Sequence, residues 1–397
     1  MEFIDLKAQQ MLIRESVERR IRAVLDHGRY IMGPEVKELE EALGRFTGVK
    51  HAIACASGTD ALLLALMAYG VGPGDAVFTT PFTFMATAET VAMLGATPVF
   101  VDIDPVTFNM DPERLKNAVE AVTAGMGSLH PLPRHDEKGR LVPRGIIGVD
   151  LFGLPAEYDL LNATAAEYGL FVIEDAAQSF GAGYKGRQAC ALAAVGCTSF
   201  FPAKPLGAYG DGGMCLTDED ELAGGMRSLR IHGQGRNKYE NIRIGFNGRL
   251  DTLQAAILMA KLEIFPDELV KRREVAERYT KLLREASIPV VTPEVPAHSQ
   301  SAWAQYSVLA RDGAHRADLL ARLSAAEVPT AIYYPTPLHL QPAFAGLGYG
   351  TGDFPVSENA AGRIFSLPMH PYLDPADQER IVAVLASGGG SARGLTG

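Results

Sequence analysis

The sequence predicts an α/β protein with a mainly parallel sheet covered by helices, and three observations carry that prediction. Between about residues 50 and 217, short apolar runs rich in β-branched residues alternate with longer segments of helical periodicity. Hydroxyls, acids and glycines follow those apolar runs, at the strand ends where open α/β sheets gather ligands. The 397 residues are 47% hydrophobic and 21% charged, enough to fill a large core in one big domain and a smaller one.

Taken in order, the predicted strands are His51–Cys55, 76–80, 98–101, 146–151, 171–174, 197–201 and Gly213–Thr217. Between them the 3.6-residue period predicts helices over 59–69, 86–94, 112–122, 160–168 and 219–230. The glycine-rich stretch 70–75 follows a helix and precedes a strand, the reverse of a dinucleotide fingerprint, and is a turn. Residues 124–143 have no periodicity and several prolines, which predicts an exposed loop whose charges, His130 and Arg134 among them, serve solvation. One long helical pattern then runs from 252 to about 285, followed by a strand at 305–310 and a helix at 317–326. The predicted division is a large domain over 1–251, a smaller α+β domain over 252–387 and a disordered glycine-rich tail over 388–397.

A net charge of −10 argues against nucleic acid and anionic membranes as partners. The start Met1-Glu2-Phe3 lacks the basic and apolar regions of a signal peptide, and no apolar window approaches ~18 residues, so a cytoplasmic protein is expected. Cys55, Cys190, Cys197 and Cys215 form no Cys-x-x-Cys pair and have no histidine at zinc-ligand spacing, so neither metal nor disulfide is expected.

Lys204 stands out because no other cation lies within fifteen positions of it, between the aromatic pair Phe200 and Phe201 and a glycine-rich turn. Such an amine loses hydration, its pKa falls, and it can condense with a carbonyl. The same run also suits a half-exposed loop lysine whose stem packs on the two rings. Asp175 ends an apolar run at the mouth of the sheet, where a carboxylate needs a cationic partner: a protonated pyridine nitrogen or an arginine. Ser57, Gly58 and Thr59 join a strand to a helix, which offers either a phosphate cradle or a plain N-cap.

Segments 57–61, 81–88, 99–104, 174–178, 199–204, 210–213, 245–251 and 334–339 resemble, in the same order, those of the DegT/DnrJ/EryC1/StrS family of nucleotide-sugar aminotransferases. The resemblance covers residues 3–385, and the run 199–213 is most similar to members acting on UDP-2-acetamido-2-deoxy-3-oxo-glucuronate. It implies the fold-type-I architecture of pyridoxal-phosphate enzymes, with pyridoxamine phosphate formed in turnover. Lys204 would be the Schiff-base lysine and proton carrier, and Asp175 the partner of the pyridine nitrogen. Gln178 would reach the ring hydroxyl and Phe84 would stack on the ring. Gly58, Thr59 and Ser199 would hold the phosphate, joined by Asn247 from the second chain of a homodimer. Arg249 of that second chain, with Tyr30, Tyr333 and His339, would contact the sugar nucleotide. Tyr333 departs from that subgroup, in which a histidine is expected before the tyrosine, and the loop 124–143 is longer.

The implied activity moves an amine, from glutamate, to a UDP-linked 3-keto-sugar for cell-envelope polysaccharide such as O-antigen. A 4-keto-sugar on UDP or dTDP is the alternative substrate. A sugar dehydratase, whose family members replace the lysine by histidine, and a non-catalytic regulator are the alternative functions.

Overall fold

The computed structural model describes residues 1–134 and 140–387; the predicted tail 388–397 and positions 135–139 of the predicted loop lie outside the described residues. The strands of the first half are β1 (His51–Cys55), β2 (Asp75–Thr79), β3 (Thr97–Phe100), β4 (Val142–Val149), β5 (Phe171–Asp175), the two-residue β6 (Gly183–Tyr184) and β7 (Arg187–Gln188), β8 (Val195–Ser199) and β9 (Gly213–Thr217). Seven of them form one sheet in the order β1-β9-β8-β5-β4-β2-β3. Only β9 runs against its neighbours, pairing antiparallel with both β1 and β8. The sheet is therefore mainly parallel, as predicted. Parallel strands are buried on both faces, which is why they read as continuous apolar runs.

Helices α1 (Leu6–His27) and α2 (Pro34–Thr47) precede the sheet, α3 (Gly58–Ala68), α4 (Ala86–Met93), α5 (Pro112–Ala124) and α6 (Tyr158–Tyr168) connect its strands, and α7 (Asp220–Leu229) follows β9. After the sheet come α8 (Thr252–Leu262), α9 (Phe265–Glu285), β10 (Ser299–Gln300), β11 (Tyr306–Leu309), α10 (Gly313–Ala325), α11 (Pro355–Arg363), β12 (Ile364–Leu367) and α12 (Pro375–Ala386). Tyr279, Tyr306, Leu319, Phe365 and Ile381 from these later elements share a hydrophobic cluster separate from those under the large sheet.

Several expectations need correction. The long helix from 252 is two helices, because Pro266 in the first turn of α9 lacks the N–H that would continue α8. The strand expected at 146–151 starts earlier, at Val142, and ends at Val149, where Asp150 turns the chain by accepting the Ala156 N–H at 3.0 Å. The loop from 124 does not give all its polar groups to solvent. His130 is buried with Nε2 2.7 Å from the Phe100 carbonyl oxygen, and the Arg134 N–H donates to the Leu347 carbonyl at 2.7 Å. Burial holds the His130 pKa below 6.5, so the ring is a neutral donor at pH 7.

The strand expected at 197–201 lies two residues earlier, and α1 and α2 were not anticipated at all. All four cysteines are buried and unpaired. Among the described residues no helix is long and apolar enough to cross a membrane, and no cluster of His, Cys, Asp or Glu could hold a metal.

Candidate active site

The carboxyl ends of β1, β2, β5 and β8 open onto a cavity of about 440 Å³. Ser57, Gly58 and Thr59 enter it after β1, Thr83, Phe84 and Thr87 after β2, Asp175 at the end of β5, and Ser199 and Lys204 at and beyond the end of β8. Predicted residues far apart in sequence thus share one cleft because parallel strands deliver their ends to one edge.

Lys204 is presented by a tight turn in which its N–H donates to the Phe201 carbonyl at 2.9 Å and Ala208 N–H to that of Phe200 at 2.7 Å. Phe200 is buried in the core while Phe201 lines the cleft. Among the described residues the Lys204 ammonium has no hydrogen bond or salt bridge. Burial lowers its pKa from the ordinary 10.5, opposed by the charge of Asp175. The Lys204 side chain is partly buried in the wall of the cleft.

Asp175 is buried and fully engaged: Thr87 Oγ1 donates to Oδ2 at 2.7 Å and the Ala177 N–H to Oδ1 at 3.2 Å. Burial raises its pKa above 3.8, while the Thr87 and Ala177 donors and the Lys204 charge pull it down. No arginine pairs with it among the described residues. Gln178 bridges two elements, accepting the Phe152 N–H at 2.7 Å and donating to the Tyr334 hydroxyl at 3.1 Å.

At the cradle both sequence readings hold together. Ser57 Oγ caps α3 by accepting the Asp60 N–H at 3.0 Å, while the N–H groups of Gly58 and Thr59 have no acceptor among the described residues. Free N–H groups at a helix start favour an anion. Glycine is required here by contact: a Cβ at Gly58 would stand 2.6 Å from the Ser199 Cβ, and one at Gly213 2.2 Å from the Ser57 carbonyl oxygen.

Other predicted residues stand elsewhere in this chain. Asn247 and Arg249 line a second depression, of about 400 Å³, whose neighbour Asp211 also borders the cleft. Tyr30 is half exposed next to the bridge between Ile31 and Asp251, on the side of that depression. Tyr333 does line the cleft. His339 does not: it is buried, 3.1 Å from Glu358 and edge-on to the Phe354 ring at 4.8 Å. Its position in a motif said nothing of the glutamate 19 residues later that captures it.

Thr83, Thr87, Gln305, Tyr334 and Ile4 also line the cleft and were not predicted to. The four-residue spacing of Thr83 and Thr87 is too common at a helix entry to single them out, and Ile4 and Gln305 carry no signal at all.

A desolvated lysine facing a buried carboxylate, beside a helix start open to an anion, is the equipment of an enzyme that condenses an amine with a phosphorylated carbonyl compound. Residues 11–386 match the DegT/DnrJ/EryC1/StrS aminotransferase family, and the chain belongs to it. The UDP-2-acetamido-2-deoxy-3-oxo-D-glucuronate aminotransferase of Pseudomonas aeruginosa is 50% identical over 97% of this chain and 99% of its own. A pleiotropic regulatory protein of Geobacillus stearothermophilus is 42% identical over 96% and 97%. The solved DegT DnrJ EryC1 StrS aminotransferase of Brucella abortus superposes with a TM-score of 0.91 at 49% identity, covering 98% and 99% of the two chains. NtdA of Bacillus subtilis, solved with pyridoxamine phosphate, gives 0.83 at 28% identity over 97% and 83%.

The protein is an aminotransferase, and the cofactor of its family is pyridoxal phosphate. The cleft fits that group: it offers an unpartnered amine, two unpaired N–H groups for a phosphate, an ionisable carboxyl and the half-exposed ring of Phe84.

Proposed function

We propose that the protein transfers an amino group from glutamate to the C3 carbonyl of a UDP-linked N-acetyl-hexose or hexuronate, as a cytoplasmic homodimer serving cell-envelope polysaccharide such as O-antigen. The observation that carries this reading is the meeting of Lys204 and Asp175 in one cleft with the open start of α3. The 3-oxo sugar in the name of the 50% identical relative supports C3.

When bound, pyridoxal phosphate supplies an electron sink for the charge left when a proton leaves the substrate carbon. Lys204, neutral more readily than a solvated lysine, takes that proton at Nζ and returns it, a step typically worth ~10²–10⁴-fold. Asp175, held as a carboxylate by two donors and Lys204, presents negative charge to a cationic ring nitrogen. Gly58, Thr59 and Ser199 hold the phosphate, Phe84 offers a stacking face and Gln178 a hydrogen bond to the ring hydroxyl.

Asn247 and Arg249 serve the cleft of the other subunit. This is supported by their own depression, which shares Asp211 with the lining of the cleft. Tyr333 contacts the sugar, Tyr30 belongs with the Arg249 side, and His339 is left out of the sugar pocket by its pairing with Glu358. The separate cluster around Tyr279 and Tyr306 supports a small domain, but α8 packs on the large part through Ile257 against Ile13 and Leu258 against Leu39, so the boundary expected at 251 falls later, beyond α8. A regulatory role in addition to amine transfer is the second reading, favoured by the name of the 42% identical relative.

The test is to load the protein with pyridoxamine phosphate and offer 3-keto and 4-keto sugars on UDP and dTDP while following cofactor absorbance. Return of the pyridoxal form with UDP-3-keto-sugars is expected. Return with a 4-keto-sugar alone would overturn C3, and no return with any of these sugars would overturn the proposed nucleotide-sugar substrate.

A further inference from the structure

We propose that Thr87 and Thr83 form a directional hydroxyl relay that keeps Asp175 ionised and aimed into the cleft, which makes both threonines positioning residues for that carboxylate. The inference rests on the reading of Asp175 given above. Thr87 Oγ1 lies 2.7 Å from Asp175 Oδ2, and Thr83 Oγ1 lies 3.1 Å from Thr87 Oγ1. All three side chains are buried.

An ionised carboxylate can only accept, so the Thr87 proton points at Asp175. Thr87 must then accept from Thr83, which fixes the direction of the whole chain. With the Ala177 N–H on Oδ1, each carboxylate oxygen has one donor. A helical threonine has a cheaper use for its hydroxyl, and Thr90 of the same helix takes it, donating to the Ala86 carbonyl at 3.0 Å. Thr87 forgoes that bond. Its place in the first turn of α4, four residues after Thr83, puts both hydroxyls on the face that meets the end of β5.

Few other groups compete for Asp175. Lys204 is the charged group facing it; Tyr158, Tyr334, Cys190 and Cys197 are the titratable neighbours, each kept neutral by burial. Glu174 occupies itself with the N–H groups of Cys190 and Leu192. Asp150 accepts from Ser179, Tyr158 and Ala156. Burial, the largest influence, favours the protonated acid at Asp175, and the Thr87 and Ala177 donors and the Lys204 charge work against it. Removing the Thr87 hydroxyl takes away a donor to the ionised form and lets the acid protonate at higher pH. A lost hydrogen bond to a charged group corresponds to roughly 10–100-fold in an equilibrium.

The experiment measures capture of pyridoxal phosphate by the cofactor-free protein across the acid and neutral pH range, in wild type, Thr87→Val, Thr87→Ser and Thr83→Val. Thr87→Val should weaken capture by roughly 10–100-fold and move the acid limb upward in pH. Thr87→Ser should stay within about twofold of wild type, and Thr83→Val should move the limb in the same direction by less. Wild-type capture by Thr87→Val overturns the relay, as do equal losses in the serine and valine variants. If Thr87→Val does not fold, an unmoved limb in Thr83→Val overturns it. A wild-type protein that captures no pyridoxal phosphate would instead overturn the reading of the cleft itself.

Discussion

Replacing Lys204 with alanine is expected to lower turnover by about 10²–10⁴-fold or more, and to abolish the visible absorbance that depends on its amine. The geometry explains why nothing substitutes for it. Among the described residues no second lysine lines the cleft, and the ammonium has no partner that orients it for a structural purpose. Burial lowers its pKa while the Asp175 charge raises it, so removing the amine relieves one buried charge and takes away the cation facing another, two effects of opposite sign. Activity should accordingly fall far more than stability. Absorbance, steady-state rate and thermal unfolding read the three quantities separately, and near-normal turnover in this variant would sink the mechanism.

Asp175→Asn is expected to reduce turnover by roughly 10²–10³-fold, because it keeps the shape but removes the negative charge offered to the ring nitrogen. The sign of the stability change is different from that of a paired surface acid. The folded-state pKa of Asp175 is raised above 3.8, so the native state holds its proton more tightly than the unfolded chain. Stability contributed by this group therefore falls as pH rises through the window above 3.8, and at neutral pH the ionised carboxylate is a burden on folding. Asparagine lifts that burden, so activity should fall without a matching fall in thermal unfolding temperature. A loss of both in proportion would make Asp175 a structural acid instead.

Much of this site was legible in the sequence, for physical reasons that differ by residue. Lys204 was visible because a cation alone in an apolar frame is expensive, and Asp175 because an acid ending a buried strand needs a partner. The strands were legible because burial on both faces leaves continuous apolar runs, as in β5 and β9. What failed was whatever depends on contacts between distant segments. His130 looked like a solvated loop residue and His339 like a sugar contact, and only the Phe100 carbonyl and Glu358 show why they are inside. Ile4 reaches the cleft from the far N-terminus, held there by the Met369 N–H on the Phe3 carbonyl at 3.1 Å, a pairing no local pattern encodes.

The break between α8 and α9 was different, since Pro266 stood in plain view inside the helical pattern. Apolar periodicity continued through it because both helices bury a stripe of their own, Leu258 in α8 and Phe265 in α9 among others. Thr83 and Thr87 were overlooked for the opposite reason: a threonine pair at a helix entry is common, and its meaning appears only when Asp175 arrives from another strand.

The most direct measurement of the central claim follows nitrogen from isotope-labelled glutamate through the cofactor-loaded enzyme to a UDP-linked 3-keto-N-acetyl-sugar, read by the mass of the sugar nucleotide. Labelled amino-sugar formed by the wild-type chain and not by Lys204→Ala is the predicted result. A wild-type chain that binds cofactor yet leaves both glutamate nitrogen and keto-sugar unchanged would contradict it.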